Sequence, residues 1–145
     1  MTEQKIRFAV VGAGHIGKRH AEMIRREEEG ELVAMVDIRT QEECGADQFD
    51  VPFFSSIEDL LNSDVEFDVV NVCTPNGLHG SQSLAALSDG KHVVCEKPMA
   101  LSKDQCEKVI FKSLQMSKSV FCVMQNRYSP PSEWIKSVID RKLLG

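Results

Sequence analysis

Six residues constrain this chain most: Gly12-Ala13-Gly14-His15-Ile16-Gly17. They follow a short apolar run, Ile6–Val11, and open a helical stretch, His15–Glu29. A second apolar run, Leu32–Asp37, ends on an acid 20 residues past Gly17. Three glycines at this spacing are a weak signal alone. Set between a strand and a helix, with an acid closing the next strand, they form the pattern of a dinucleotide-binding loop. Gly12 permits the tight turn, Gly14 lets backbone approach a pyrophosphate, and Gly17 lets helix pack close to strand. The helix start, at His15 and Ile16, offers free N–H groups and a positive dipole end to phosphates. The His15 backbone matters more here than its ring. Asp37 favours NAD over NADP, because a carboxylate accepts from a ribose 2′-OH and repels a 2′-phosphate. Arg39 has three readings: stacking on adenine, partnering a phosphate, or a solvated surface charge.

Short apolar runs alternate with helical stretches along the rest of the chain. Further strands are expected at Val69–Cys73, His92–Cys95 and Val120–Met124, with a short one near Pro52–Phe54. All are continuous apolar runs, the pattern of strands covered on both faces. Gly30 reads as the C′ glycine of the first helix. Ser55-Ser56-Ile57-Glu58 reads as a capping box opening a helix through Leu61. Leu78–Asp89 is a helix ending at Gly90. Ser102 and Gln105 form a second capping box, after which Cys106, Val109, Ile110 and Leu114 share one face. Ser129-Pro130-Pro131 starts a last helix with an apolar stripe of Trp134, Ile135, Val138 and Ile139. Alternation of this kind predicts an α/β fold: a doubly wound parallel sheet of about six strands, helices on both faces and right-handed crossovers.

The 145 residues suit one domain, and 42% hydrophobic content excludes disorder as the main state. A net charge of −5 argues against nucleic acid as a partner. No apolar run approaches a membrane span, so no membrane partner is expected. The run Phe8–Val11 is too short for a signal peptide and breaks into the glycine loop, which makes the cytoplasm the default. Five cysteines, Cys44, Cys73, Cys95, Cys106 and Cys122, lie 29, 22, 11 and 16 residues apart, which suits neither zinc nor a disulfide framework. Those in apolar runs read as small buried hydrophobes. No histidines and carboxylates have metal-ligand spacing, so no metal is expected. His20 reads as a surface or packing residue and His92 as structural.

Two more strand ends carry polar motifs, and open α/β sheets bind ligands at such ends. Thr74-Pro75-Asn76-Gly77-Leu78-His79 follows one; Glu96-Lys97-Pro98 follows the next. Together with G-A-G-H-I-G, Asp37 and the later Gln125-Asn126-Arg127-Tyr128-Ser129-Pro130, these resemble the glucose-fructose oxidoreductase / inositol dehydrogenase family. The motifs run in the family's order from Ile6 to about Leu144, and T-P-N-x-L-H with E-K-P is far more specific than the glycines.

The resemblance implies a Rossmann domain over residues 1–124, with 125–145 as linker toward a second, substrate-binding domain that this sequence does not contain. It assigns Gly12, Gly14 and Gly17 to the phosphate loop and Asp37 to the adenosine ribose. Thr74, Pro75, Asn76 and His79 match the loop beside the nicotinamide half. Glu96 and Lys97 match the pair at the nicotinamide–substrate junction, where the lysine contacts the sugar hydroxyl being oxidised. The bond before Pro98 is cis in many members. Arg127 has two readings, a contact to nicotinamide or substrate and a linker arginine. The implied function is the NAD-binding part of an oxidoreductase moving a hydride between a sugar carbinol and NAD. Q-N-R-Y-S-P-P resembles members acting on nucleotide-linked amino sugars. In the family, an acid and a histidine of the second domain accept the proton, so this chain alone is expected to turn over poorly. Homo-oligomerisation is expected at full length. Alternatives are an NAD-binding regulatory module and an NAD-dependent glycosidase of the same family; E-K-P and the third glycine argue against a methyltransferase.

Overall fold

The computed structural model describes residues 5–143. Chain order is β1 (Ile6–Val11), α1 (His15–Arg26), β2 (Gly30–Val36), α2 (Gln41–Cys44), β3 (Phe53–Phe54), α3 (Ile57–Leu61) and β4 (Val69–Val72). Then come α4 (His79–Ser88), β5 (His92–Cys95), α5 (Lys103–Met116), β6 (Val120–Cys122) and α6 (Pro130–Asp140). All strand pairs are parallel, in the order β3-β2-β1-β4-β5-β6. The order reverses between β1 and β4, which opens a crevice at the carboxyl ends of those strands.

The continuous apolar runs follow from burial on both faces. In β1, Ala9 and Val11 join a cluster with Val70, Val72, Leu87 and Val109. Val10, between them, points the other way into a cluster with Ala21, Ile24, Met35 and Phe49. Successive strand side chains alternate faces, so a strand with helices on both sides needs no polar position. Burying each such valine or leucine contributes about 1.5–3 kcal/mol.

Local expectations fail where tertiary pairing overrides them. Helix α1 ends at Arg26, and Gly30 is the first residue of β2, paired with Ile6, rather than a C′ glycine. Gly90 does adopt the left-handed conformation, with φ +75°. The cap of α3 shifts by one residue: Ser56, not Ser55, accepts an N–H, that of Asp59. Ser55 instead donates to the Asp59 carboxylate. A full capping box, Thr40 with Glu43, opens α2, which sequence reading passed over. On α5 the buried positions are Val109 and Ser113, while Ile110 and Leu114 face solvent.

On α6, Val138 is buried, but Trp134, Ile135 and Ile139 are exposed, Trp134 at 67%. An uncovered apolar stripe of this kind favours self-association. Light scattering is expected to show the apparent mass rising with concentration, and the double variant Trp134→Glu/Ile135→Lys is expected to stay monomeric. A monodisperse monomer at millimolar concentration would count against the stripe as a contact.

Candidate dinucleotide site

The three glycines do three different jobs. Gly12 has φ +97°, and a Cβ there would lie 2.7 Å from the Cys73 carbonyl oxygen. A Cβ on Gly17 would lie 1.7 Å from the Gly12 carbonyl oxygen, so only glycine lets α1 sit this close to the loop. A Cβ on Gly14 would meet nothing within 4 Å. Gly14 caps α1 without a side-chain hydrogen bond, and the first turn holds no acid. Its amides therefore lack both intrahelical and side-chain acceptors, and they open onto empty space at the positive end of the helix dipole. That cradle fits a pyrophosphate.

Asp37 follows β2 at the same edge. Its Oδ2 accepts the Ala13 N–H at 2.9 Å, which ties the acid to the glycine loop. Its Oδ1 accepts from the N–H and Nε of Arg39, both at 3.0 Å. Burial pushes the Asp37 carboxyl up, but the Arg39 side chain and the N–H groups of Arg39 and Ala13 outweigh it and hold the carboxyl below its ordinary value. Arg39 thus partners Asp37 in this structure, a role outside its three sequence readings.

A cavity of about 750 Å³ runs along this edge. Of the expected cofactor residues, Gly12, Gly14, His15, Ile16, Asp37, Arg39, Thr74 and Pro75 line it; Gly17, packed beneath the loop, does not. Ile38, Ser56, Leu78 and Gln82 also line it and were missed. Ile38 had a signal, an apolar residue directly after the acid, and the structure leaves it 93% exposed. Ser56 follows β3, whose end lies at the same edge. Thr74 Oγ1 donates to Gln82 Oε1 at 2.5 Å.

His79 departs from its expected place. Its ring is buried, with Nδ1 2.7 Å from the Pro98 carbonyl and Nε2 2.7 Å from the Thr74 carbonyl. Both nitrogens are occupied, so the ring braces the two strand-end loops instead of facing the cavity. Asn76 is exposed in the turn Asn76–Leu78, outside the large cavity. Lys97 and Arg127 line a second cavity, of about 510 Å³, with Met99, Cys122 and Asn126. The Lys97–Pro98 bond is cis.

Of its two readings, surface or packing, His20 takes the second, with its side chain 16% exposed. Its Nε2 lies 3.0 Å from Glu96 Oε1, and its Nδ1 lies 2.9 Å from Asn71 Nδ2. His92 is structural as expected, accepting the Ser119 N–H at Nδ1. All five cysteines are free thiols, and burial pushes Cys95 up to about 11. Among the described residues, no helix is long and apolar enough to cross a membrane, and no three His, Cys, Asp or Glu could hold a metal.

Residues 6–123 match the profile of GFO_IDH_MocA, described as an oxidoreductase family with an NAD-binding Rossmann fold. The chain belongs to this family. It is 29% identical over 147 residues to the D-glucoside 3-dehydrogenase of Escherichia coli K12. It is 35% identical over 139 residues, 94% of its length, to the scyllo-inositol 2-dehydrogenase (NADP(+)) IolU of Bacillus subtilis. Each match covers 42% of the relative. The crystal structure of the WlbA dehydrogenase from Bordetella pertussis, in complex with NADH and UDP-GlcNAcA, superposes with a TM-score of 0.88 at 31% identity. That match covers 95% of this chain and 42% of WlbA. The scyllo-inositol dehydrogenase of Lactobacillus casei, with bound NAD(H) and scyllo-inositol, gives 0.87 at 26%, covering 98% of this chain and 43% of the other. This Gfo/Idh/MocA chain is thus an NAD-binding Rossmann domain spanning about two-fifths of the length of these relatives.

Proposed function

We propose that this chain is the cofactor-binding part of an oxidoreductase that moves a hydride between a CH–OH carbon of a sugar, free or nucleotide-linked, and NAD. One observation carries the reading: Lys97, at the carboxyl end of β5, lines one cavity, and Gly14 and Asp37 line a larger one at the carboxyl ends of the same sheet's strands. Bound nicotinamide would supply the hydride acceptor. The first-turn amides of α1 would hold the pyrophosphate and Asp37 the adenosine ribose. Ile38 offers an apolar face to adenine, with Thr74 and Pro75 flanking the nicotinamide half. The Lys97 ammonium would hydrogen-bond the reacting hydroxyl and favour developing alkoxide charge, with Arg127 on the substrate side of the same cavity. Residues 125–145 would lead from the Rossmann unit, 1–124, toward the substrate-binding region. WlbA, with its UDP-linked sugar acid, supports a nucleotide-linked substrate; the inositol dehydrogenase supports a free cyclic polyol. Five free thiols support a reducing, cytoplasmic setting, and a homo-oligomer fits the exposed α6 stripe.

Calorimetric titration with NAD⁺, NADH and NADP⁺ tests the reading. NAD(H) is expected to bind at least about tenfold more tightly than NADP⁺, a difference of about 1.4 kcal/mol. Lys97→Ala is expected to keep NAD⁺ affinity within about threefold, under 1 kcal/mol, and, made in a full-length dehydrogenase that carries this domain, to abolish NADH formation at 340 nm with scyllo-inositol or UDP-GlcNAcA. Unchanged NADH formation in the variant would remove Lys97 from the chemistry. No binding of any of the three nucleotides would remove the whole reading.

A further inference from the structure

We infer that His20 is a positioning residue: a neutral imidazole, protonated at Nε2, that anchors the Glu96 carboxylate to Asn71 and thereby fixes the turn bearing Lys97. The inference rests on the NAD-linked reading above and extends it to a residue that contacts neither cofactor nor substrate.

The three side chains come from three elements. His20 lies on α1, whose first turn faces the pyrophosphate cradle. Asn71 is in the middle of β4 and is only 4% exposed. Glu96 follows β5. The His20 and Glu96 side chains are 16% and 14% exposed, so the chain of bonds lies largely out of water. There, unmatched polar groups are costly and matched ones rigidify their surroundings.

Chemistry fixes the ring's proton. Asn71 sets Nδ2, a donor, 2.9 Å from His20 Nδ1, which then accepts with its lone pair. The single N–H of a neutral ring is then on Nε2, aimed at Glu96 Oε1. The acceptor is a carboxylate, and such charge-assisted bonds are about twice as strong as neutral ones. The other oxygen, Glu96 Oε2, accepts the backbone N–H of Lys97 at 3.3 Å. Both carboxylate oxygens are therefore used, one by His20 and one by the residue proposed to meet the substrate hydroxyl. Without the imidazole, a largely buried carboxylate loses its side-chain partner. It would rotate toward water and release the Lys97 backbone. A single side chain on the phosphate-binding helix thus holds the nicotinamide end of the site in register.

Affinities for NAD⁺ and ADP-ribose, which lacks nicotinamide, test this on the 145-residue chain. His20→Phe keeps ring shape without hydrogen bonds. It is expected to weaken NAD⁺ binding about tenfold, as for loss of one hydrogen bond to a charged group, and to change ADP-ribose binding less than about twofold. His20→Gln offers one donor and one acceptor and is expected to restore most of the NAD⁺ affinity. In ¹⁵N spectra of the wild type near neutral pH, the ring should be protonated at Nε2 and bare at Nδ1. Equal losses for both ligands, no loss for either, or no rescue by glutamine would overturn the positioning role. A ring protonated at Nδ1 would overturn the bonding chain itself. A wild-type chain binding neither ligand, with the expected ¹⁵N pattern, would instead overturn the NAD-linked reading and with it the role in the site.

Discussion

Gly17→Ala is expected to unfold the domain, whereas Gly14→Ala should leave it folded and weaken its cofactor binding. The difference lies in what each methyl meets. At Gly17 it would sit 1.7 Å from the Gly12 carbonyl oxygen and 3.3 Å from Val10 Cγ1. The nearer obstacle is backbone, which cannot swing aside as a side chain can. Relief requires α1 to lift off β1, opening the cluster that contains Val10, Ala21 and Ile24. A clash resolved by moving a packed helix belongs to the rare losses above about 4–5 kcal/mol, comparable to a small domain's whole stability of about 5–15 kcal/mol. At Gly14 the methyl meets nothing, and φ −72° suits any residue. The cost there is the modest one of alanine at a helix N-cap, about 1 kcal/mol or less. The methyl would, however, occupy the space through which a pyrophosphate reaches the first-turn amides. A loss of NAD⁺ affinity of about tenfold or more is expected, at least 1.4 kcal/mol. Urea denaturation followed by circular dichroism, and calorimetry on the folded variant, check both halves. Wild-type stability in Gly17→Ala, or wild-type affinity in Gly14→Ala, would contradict this division of labour.

What could be read from the sequence was whatever local pattern and burial agree upon. Ile6–Val11 is apolar throughout because both faces of β1 are covered, and that run sets the sheet class before any contact is known. The glycine loop and Asp37 were legible because their chemistry is local in sequence. Gly30 misled because a glycine after a helix has two physical uses, and pairing with Ile6 decided for the strand. Ser55 and Ser56 each precede an acid by three residues, so spacing alone could not choose the cap of α3. Ile110 and Leu114 follow the helical period, yet the part of α5 they occupy has nothing packed over it. The partners of His20 and His79 were illegible for a different reason. His20 meets partners 51 and 76 residues away, and His79 a carbonyl 19 residues away; no neighbouring residue in sequence announces these bonds.

Asp37→Asn is expected to weaken NAD⁺ binding by about ten- to a hundredfold, the worth of hydrogen bonds to a charged acceptor, and to bring NADP⁺ affinity close to that of NAD⁺. The variant keeps an oxygen for the Ala13 N–H but loses the charge that repels a 2′-phosphate. It also loses the charge that holds Arg39, freeing a guanidinium beside the ribose. The pH dependence follows from the direction of the shift. The Asp37 carboxyl lies below its ordinary value, about 3.9 when unfolded. Its bonds to Ala13 and Arg39 therefore stabilise the fold fully above that unfolded value, and the contribution is lost as pH falls through the lowered folded one. NAD⁺ affinity should accordingly stay flat from about pH 8 to 5, since the carboxylate remains ionised throughout. Arg39→Ala separates the two charges. With Arg39 half exposed, its loss should change NAD⁺ affinity by no more than about threefold, in keeping with the small worth of exposed ion pairs. NADP⁺ should bind more weakly still. Calorimetry on the wild type and both variants across this pH range measures all of these. NADP⁺ binding as tight as NAD⁺ in the wild type would mean that Arg39 leaves Asp37 for the 2′-phosphate. Family membership does not decide between these outcomes, because the 35%-identical Bacillus subtilis relative is named for NADP(+). The choice rests on which partner the Asp37 carboxylate keeps.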